Sequence, residues 1–193
     1  MLNNTKNVFL CIAGVAITWV LFFKLNAFIF ASFEKSPFIN LVFIPAGVRL
    51  VSVLLFDELA VIGLFLGALI TSPSFLTNCN QAVLISLVSA LNPYLAVHVT
   101  RRLLKIDHLL NELHAKELLL IGLFSALFNC LSHHFYFNWA KIKAPWDDCI
   151  NMFIGDVFGI GIMLTLFVVT LKLIRKLTTL QSKATIKNHE KIL

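Results

Sequence analysis

The sequence predicts an all-α protein: a polytopic transmembrane helical bundle of about six spans, with the N- and C-termini both on the cytoplasmic side. Three observations predict it. First, of 193 residues 59% are hydrophobic and 13% charged, with a mean hydropathy of +0.87. A soluble domain of this length carries about 25% charged residues, so a water-facing surface is left uncovered. Second, the apolar residues fall in runs, and at about 20 residues per span the chain holds at most six or seven helices with short loops. That leaves no room for a soluble catalytic or DNA-binding domain. Third, six spans sort the basic residues to one side.

The elements follow in order. Helix 1 is expected over Val8–Leu25. Lys6 precedes its apolar run, and Lys24 and Asn26 close it. The run has the length of a signal peptide, but no small-x-small cleavage pattern follows it and more spans do, so an uncleaved first helix is expected. Helix 2 is expected over Phe38–Phe56 and helix 3 over Leu59–Ser72, stopped by Pro73. Helix 3 falls short of a full span; it is tilted, re-entrant, or one arm of a tight hairpin with helix 2 through Asp57 and Glu58. Helix 4 is expected over Ala82–Thr100, with Asn92-Pro93 breaking a backbone bond and implying a kink. Helices 5 and 6 are the clearest runs, Leu118–Phe137 and Ile150–Ile174.

The segment Leu103–Lys116 reads differently. Leu103, Leu104, Leu109, Leu110 and Leu113 are interleaved with Lys105, Asp107, His108, Glu112 and His114. This amphipathic pattern fits a helix lying in the cytoplasmic interface, or equally an extension of helix 5 into water. Residues 1–177 form the transmembrane domain, and the polar, basic tail 178–193 is expected to fray in the cytoplasm.

The positive-inside rule tests the count. With six spans, Lys6, Arg101, Arg102, Lys105, Lys116, Lys172, Arg175, Lys176, Lys183, Lys187 and Lys191 share one side, eleven in all. The other side keeps four, Lys24, Lys35, Lys141 and Lys143, partly offset by Glu34, Asp147 and Asp148. The net charge of +6 therefore describes loops and tail beside anionic lipid, and nucleic-acid binding is not expected.

Some polar residues lie where hydrocarbon penalises them. Arg49 sits deep in helix 2, where a charge costs about 2.5–3.5 kcal/mol on insertion scales. It should face the bundle with a partner, and Asp156 in helix 6 is the acidic residue placed to supply one. Such a pair is either a clamp between helices or part of a site that recognises an anionic ligand. Pro45 and Gly47 loosen helix 2 on the same side of the bilayer. Helix 5 carries Asn129, Ser132, His133 and His134. Adjacent histidines diverge by about 100° on a helix and cannot share one ion, so no metal site is expected. The histidines read instead as interfacial residues beside Tyr136 and Trp139.

Four cysteines are present. Cys11 and Cys130 lie within spans as packing residues. Cys79 and Cys149 both fall on the outer side, which leaves a disulfide between them open. Two small-residue pairs, Gly63–Gly67 and Gly155–Gly159, permit close helix packing, inside the monomer or in a homodimer. No Ser-His-Asp, HExxH, P-loop or Rossmann pattern is present, and neither an enzyme nor a cofactor is expected.

Two blocks together resemble the bacterial membrane-associated sensor domain of the MASE type. The first is Ile44-Pro45-Ala46-Gly47 with Leu50, Leu54 and Leu55, followed by Gly63 and Leu66-Gly67-Ala68. The second is Phe153-Ile154-Gly155-Asp156-Val157-Phe158-Gly159, similar to that family's Gly-Asp-x-x-Gly helix. The resemblance covers about Phe43 to Phe167. It departs from the family at Ile44, where Trp or Pro is usual, at Arg49, and in length, since family domains have about eight helices. There is also no kinase, cyclase or phosphodiesterase output domain. The resemblance implies a bacterial inner-membrane sensory or ligand-binding module whose signalling belongs to a separate partner. A six-helix substrate-binding subunit of an uptake system and a structural assembly protein are the other readings.

Overall fold

The computed structural model describes residues 5–36, 39–72, 78–105, 115–142 and 145–190. Phe38, Pro73, Lys143, Lys191 and the 106–114 part of the amphipathic segment lie outside them. The fold is all-helical: α1 (Thr5–Ile29), α2 (Ile44–Phe56), α3 (Glu58–Thr71), α4 (Cys79–Leu104), α5 (Ala115–Trp139) and α6 (Trp146–Glu190). Four of these six, α1, α4, α5 and α6, are long and apolar enough to cross a membrane. A 3-10 turn (Ala31–Phe33) and a two-stranded antiparallel hairpin, β1 (Glu34–Ser36) with β2 (Ile39–Asn40), join α1 to α2.

The helix expected from Phe38 begins at Ile44 instead, and the reason is Pro45. Proline disfavours helical geometry in the residue before it, while at the first turn its missing N–H costs nothing. It therefore starts α2 rather than loosening its middle. The preceding chain, bent at Leu41 and Val42, has its amides bonded from Leu41 to Ile44. The amide of Leu41 donates to the Phe33 carbonyl (3.1 Å) and that of Phe43 to the Gly155 carbonyl (3.0 Å). The Val42 amide donates to Asn40 Oδ1 (3.0 Å), and the Ile44 amide to Asn26 Oδ1 (2.8 Å). Non-helical backbone is tolerated within a bundle only when it is satisfied in this way.

The helix α2 is the central one. Every residue from Ile44 to Leu54 is buried, and only Leu55 and Phe56 emerge. At 13 residues it is about 20 Å long. A single-residue turn at Asp57, with φ 49°, hands it on to α3, so the tight-hairpin reading describes the geometry. α3 runs alongside α1: a Cβ on Gly63 would lie 2.7 Å from the Ile12 carbonyl oxygen, and one on Gly67 2.7 Å from Trp19. This small-residue pair thus closes the monomer. Gly155 and Gly159 do something else. A Cβ there would overlap the carbonyl oxygens of Asn40 and Phe43, so α6 packs against the chain leading into α2 at Gly155 and against the first turn of α2 at Gly159.

α4 passes through Pro93 without interruption, and Asn78 Oδ1 caps its start by accepting from the Gln81 amide (3.2 Å). α6 is continuous to Glu190, because no Gly or Pro follows Gly161 and the tail is built of Lys, Leu, Gln, Ala and other residues compatible with a helix. The main core joins Trp19, Leu50, Leu64, Val97, Ile121 and Ile160 across all six helices, and a smaller cluster of Ile39, Cys130, Phe137, Cys149 and Met152 packs beneath the hairpin.

Candidate functional site

The buried polar groups of four helices converge beneath the hairpin. Arg49 projects from α2, and helical side chains lean toward their own N-terminus, so the guanidinium reaches back toward the hairpin. Its Nη1 donates to Ser89 Oγ on α4 (3.1 Å) and to Asn129 Oδ1 on α5 (2.8 Å); its Nη2 donates to Asp156 Oδ2 on α6 (3.1 Å). The Asn129 amide completes a ring by donating to the same carboxylate oxygen at 2.6 Å. Asn92 donates to Asn129 Oδ1 (3.3 Å) and accepts from Ser132 Oγ (2.8 Å). The Arg49 Cζ also lies 5.8 Å from the Trp19 ring and 5.7 Å from the Phe43 ring, within cation–π range. The pairing of Arg49 with Asp156 expected from the sequence is therefore formed.

Above this network lies a cavity of about 190 Å³. Arg49, Asp156, Asn129 and His133 form its floor, and aromatic side chains, Trp19, Phe43 and Phe137 among them, form its walls. Ala31, Glu34 and Ser72 line it near the hairpin, and Ala31 and Glu34 are exposed there. It opens toward the end of the bundle where α1 and α3 finish and α4 and α6 begin.

Of the residues singled out by sequence, Arg49, Asn129, His133 and Asp156 come together on this floor. Pro45 and Gly47 do not touch it. They shape α2, and a Cβ on Gly47 would collide with Met163 and approach the Gly159 carbonyl. Both histidines are buried within the protein. His133 turns toward the cavity with Nδ1 2.9 Å from the Asn129 carbonyl, while His134 points elsewhere, its ring 4.0 Å from that of Trp146. Helical geometry alone separates them.

All four cysteines are free. Cys79 is exposed at the start of α4 and is not joined to Cys149, which is buried in α6 in the same cluster as Cys130. Among the described residues no group of three or more His, Cys, Asp or Glu is placed to hold a metal ion.

Sequence reasoning missed Ser86, Ser89 and Trp19. A signal for the serines was present: Ser86, Ser89 and Asn92 recur every three residues in an otherwise apolar helix, which puts them on one face. Compared with protein-family models, curated proteins and solved structures, the chain matches none of them. Fold and site thus define an all-helical protein, four of whose helices are long and apolar enough to cross a membrane, with a buried charged network under a cavity.

Proposed function

We propose that this chain is a multi-pass ligand-binding module of the bacterial inner membrane, of sensory type. It has six crossings, both ends in the cytoplasm, and hands its signal to a separate partner. The cavity floored by Arg49 and Asp156 carries the reading. A clamp between helices needs no empty volume beside it, whereas a binding site does.

Two further features support the reading. The blocks that carry the resemblance to MASE-type domains, Pro45-Ala46-Gly47 and Gly155-Asp156-Val157-Phe158-Gly159, lie far apart in sequence and pack together here, Gly47 against Gly159 and Arg49 on Asp156. The eleven-to-four basic bias puts the cavity mouth on the outer face.

The experiment is native mass spectrometry of the gently purified protein, with thermal unfolding against a metabolite panel. A co-purifying molecule, or stabilisation by one, is the expected result. A protein that neither carries nor responds to any small molecule sinks the proposal.

A substrate-binding subunit of an uptake system is the second reading. It is favoured by Gly14, which lies in the Ala13–Ala16 stretch of the peripheral helix α1 with open space where a Cβ would stand. Such a face would dock a partner helix. Co-purification of a membrane-embedded transporter subunit would select it over the sensory reading.

A further inference from the structure

Inside the cavity the two buried charges already satisfy each other. Arg49 is bonded to Asp156, Asn129 and Ser89, and Asp156 Oδ2 accepts from both Arg49 and Asn129. The remaining formal charge on the lining, Glu34, stands at the exposed mouth. A ligand bringing net charge to the floor would enter a low-dielectric site without a counter-ion, which is costly.

Ser86 supplies what the floor lacks. It lines the cavity from α4, is 1% exposed, and its hydroxyl has no hydrogen-bond partner. Other helical hydroxyls in this protein turn back to a carbonyl four residues earlier: Thr71 to Gly67, Ser132 to Phe128 and Thr165 to Gly161. Ser86 does not, and neither does Ser72, whose unpartnered hydroxyl lines the same cavity. A buried polar group without a partner is destabilising, and a polar group of a molecule in the cavity would answer it.

Size narrows the choice. A cavity of about 150 Å³ holds one benzene ring, so about 190 Å³ holds one ring with a small substituent. The aromatic walls suit such a body.

We infer that the cavity takes a small uncharged molecule, about one ring in size, carrying a hydroxyl, carbonyl or amide that exchanges a hydrogen bond with Ser86. This rests on the ligand-binding reading above and narrows it to neutral ligands.

The test is fluorine NMR of the protein in lipid nanodiscs with four probes that share one ring: 4-fluorophenol, 4-fluorotoluene, 4-fluorobenzoate and 4-fluorobenzylamine. Partition into lipid does not saturate, so saturable binding reports the site. The phenol should saturate, the toluene should bind about tenfold more weakly for want of the hydrogen bond, and the charged probes should show no saturable site. Ser86→Ala should abolish the preference for phenol while leaving toluene binding unchanged. Ser86→Leu, which fills the space, should remove saturable binding of both with the helical circular dichroism retained.

Tighter binding of the benzoate or the benzylamine overturns the neutral-ligand inference and leaves the binding module standing. A phenol preference that survives Ser86→Ala overturns the role given to Ser86. Saturation by none of the four means a cavity that holds only water and overturns the inference. The module reading falls as well only if native mass spectrometry also finds the purified protein empty.

Discussion

Arg49 of α2 and Asp156 of α6 meet at 3.1 Å with both side chains at most 4% exposed, and Asn129 bridges them by bonding each. The pair joins the central helix to the one that frames the hairpin, under a cavity. It therefore ties the two segments whose relative position defines the site's floor.

Removing one partner of a buried pair strands the other, at a cost of about 3–5 kcal/mol. Arg49→Met alone or Asp156→Leu alone is expected to lower the thermal unfolding midpoint sharply in detergent. The double variant Arg49→Met with Asp156→Leu should recover most of the loss, because apolar replacement of a whole buried pair is often neutral or stabilising. The reversed pair, Arg49→Asp with Asp156→Arg, separates clamp from site. A clamp tolerates the swap, as does a site whose ligand is held by Ser86, whereas a ligand recognised directly by Arg49 or Asp156 is no longer bound although the protein folds.

Gly155 and Gly159 should be the least replaceable glycines. Alanine at either drives a methyl into the Asn40 or Phe43 carbonyl, and backbone cannot step aside as a flexible side chain can. Overpacking of this kind costs about 1–3 kcal/mol, occasionally more. Gly161→Ala, on the same helix with open space at the Cβ position, should leave the unfolding midpoint unchanged or raise it slightly. Equal midpoints for Gly155→Ala and Gly161→Ala would refute the packing of the extended chain on α6.

Much of this was legible in the sequence, and the rest was hidden for physical reasons. The four long helices follow from run length, and the Arg49–Asp156 pair from the cost of an unpaired charge in hydrocarbon, which leaves few partners. The start of α2 was harder. In a segment apolar on all sides no periodicity marks where helix gives way to extended chain, and Pro45 fits a kink as well as a first turn. A glycine pair spaced by four likewise states that something approaches closely. It does not state whether a helix or an extended chain does so. His133 and His134 lie in an apolar run near Trp139, and only the packed structure shows that both are buried within the protein.

Asn26 holds the entrance to α2. Its Oδ1 accepts from the Ile44 amide at 2.8 Å, although 18 residues separate them, and both residues are buried. Asn26→Leu leaves that amide unanswered inside the bundle, and a loss of about 1–3 kcal/mol is expected. Because Asn26 also lines the cavity, hydrogen exchange at the amides of 41–44 should accelerate in the variant, while exchange in α4 and α5 stays near the parent rate. Uniform acceleration would show that the cap stabilises the whole bundle rather than the hairpin–α2 junction.

The side on which Cys79 emerges decides the six-crossing reading. α3 has 14 residues, about 21 Å, against a hydrocarbon core of about 30 Å. Its direction is set by α1: Gly63 meets Ile12 and Val15, Gly67 meets Trp19, and Trp19 Nε1 donates to Thr71 Oγ1 at 3.0 Å. The two helices therefore run parallel, and α3 ends at Thr71, level with Phe23, six residues or about 9 Å before α1 ends at Ile29. In the six-crossing reading Cys79, exposed at the first residue of α4, stands on the outer face. In a Cys11→Ala, Cys130→Ala, Cys149→Ala background, a membrane-impermeant maleimide should label Cys79 in intact spheroplasts, and Lys105→Cys, introduced in the same background with Cys79→Ala, only after permeabilisation. Labelling of Cys79 only after permeabilisation would place the start of α4 inside, and with it the end at which α1 and α3 finish, overturning the proposed orientation.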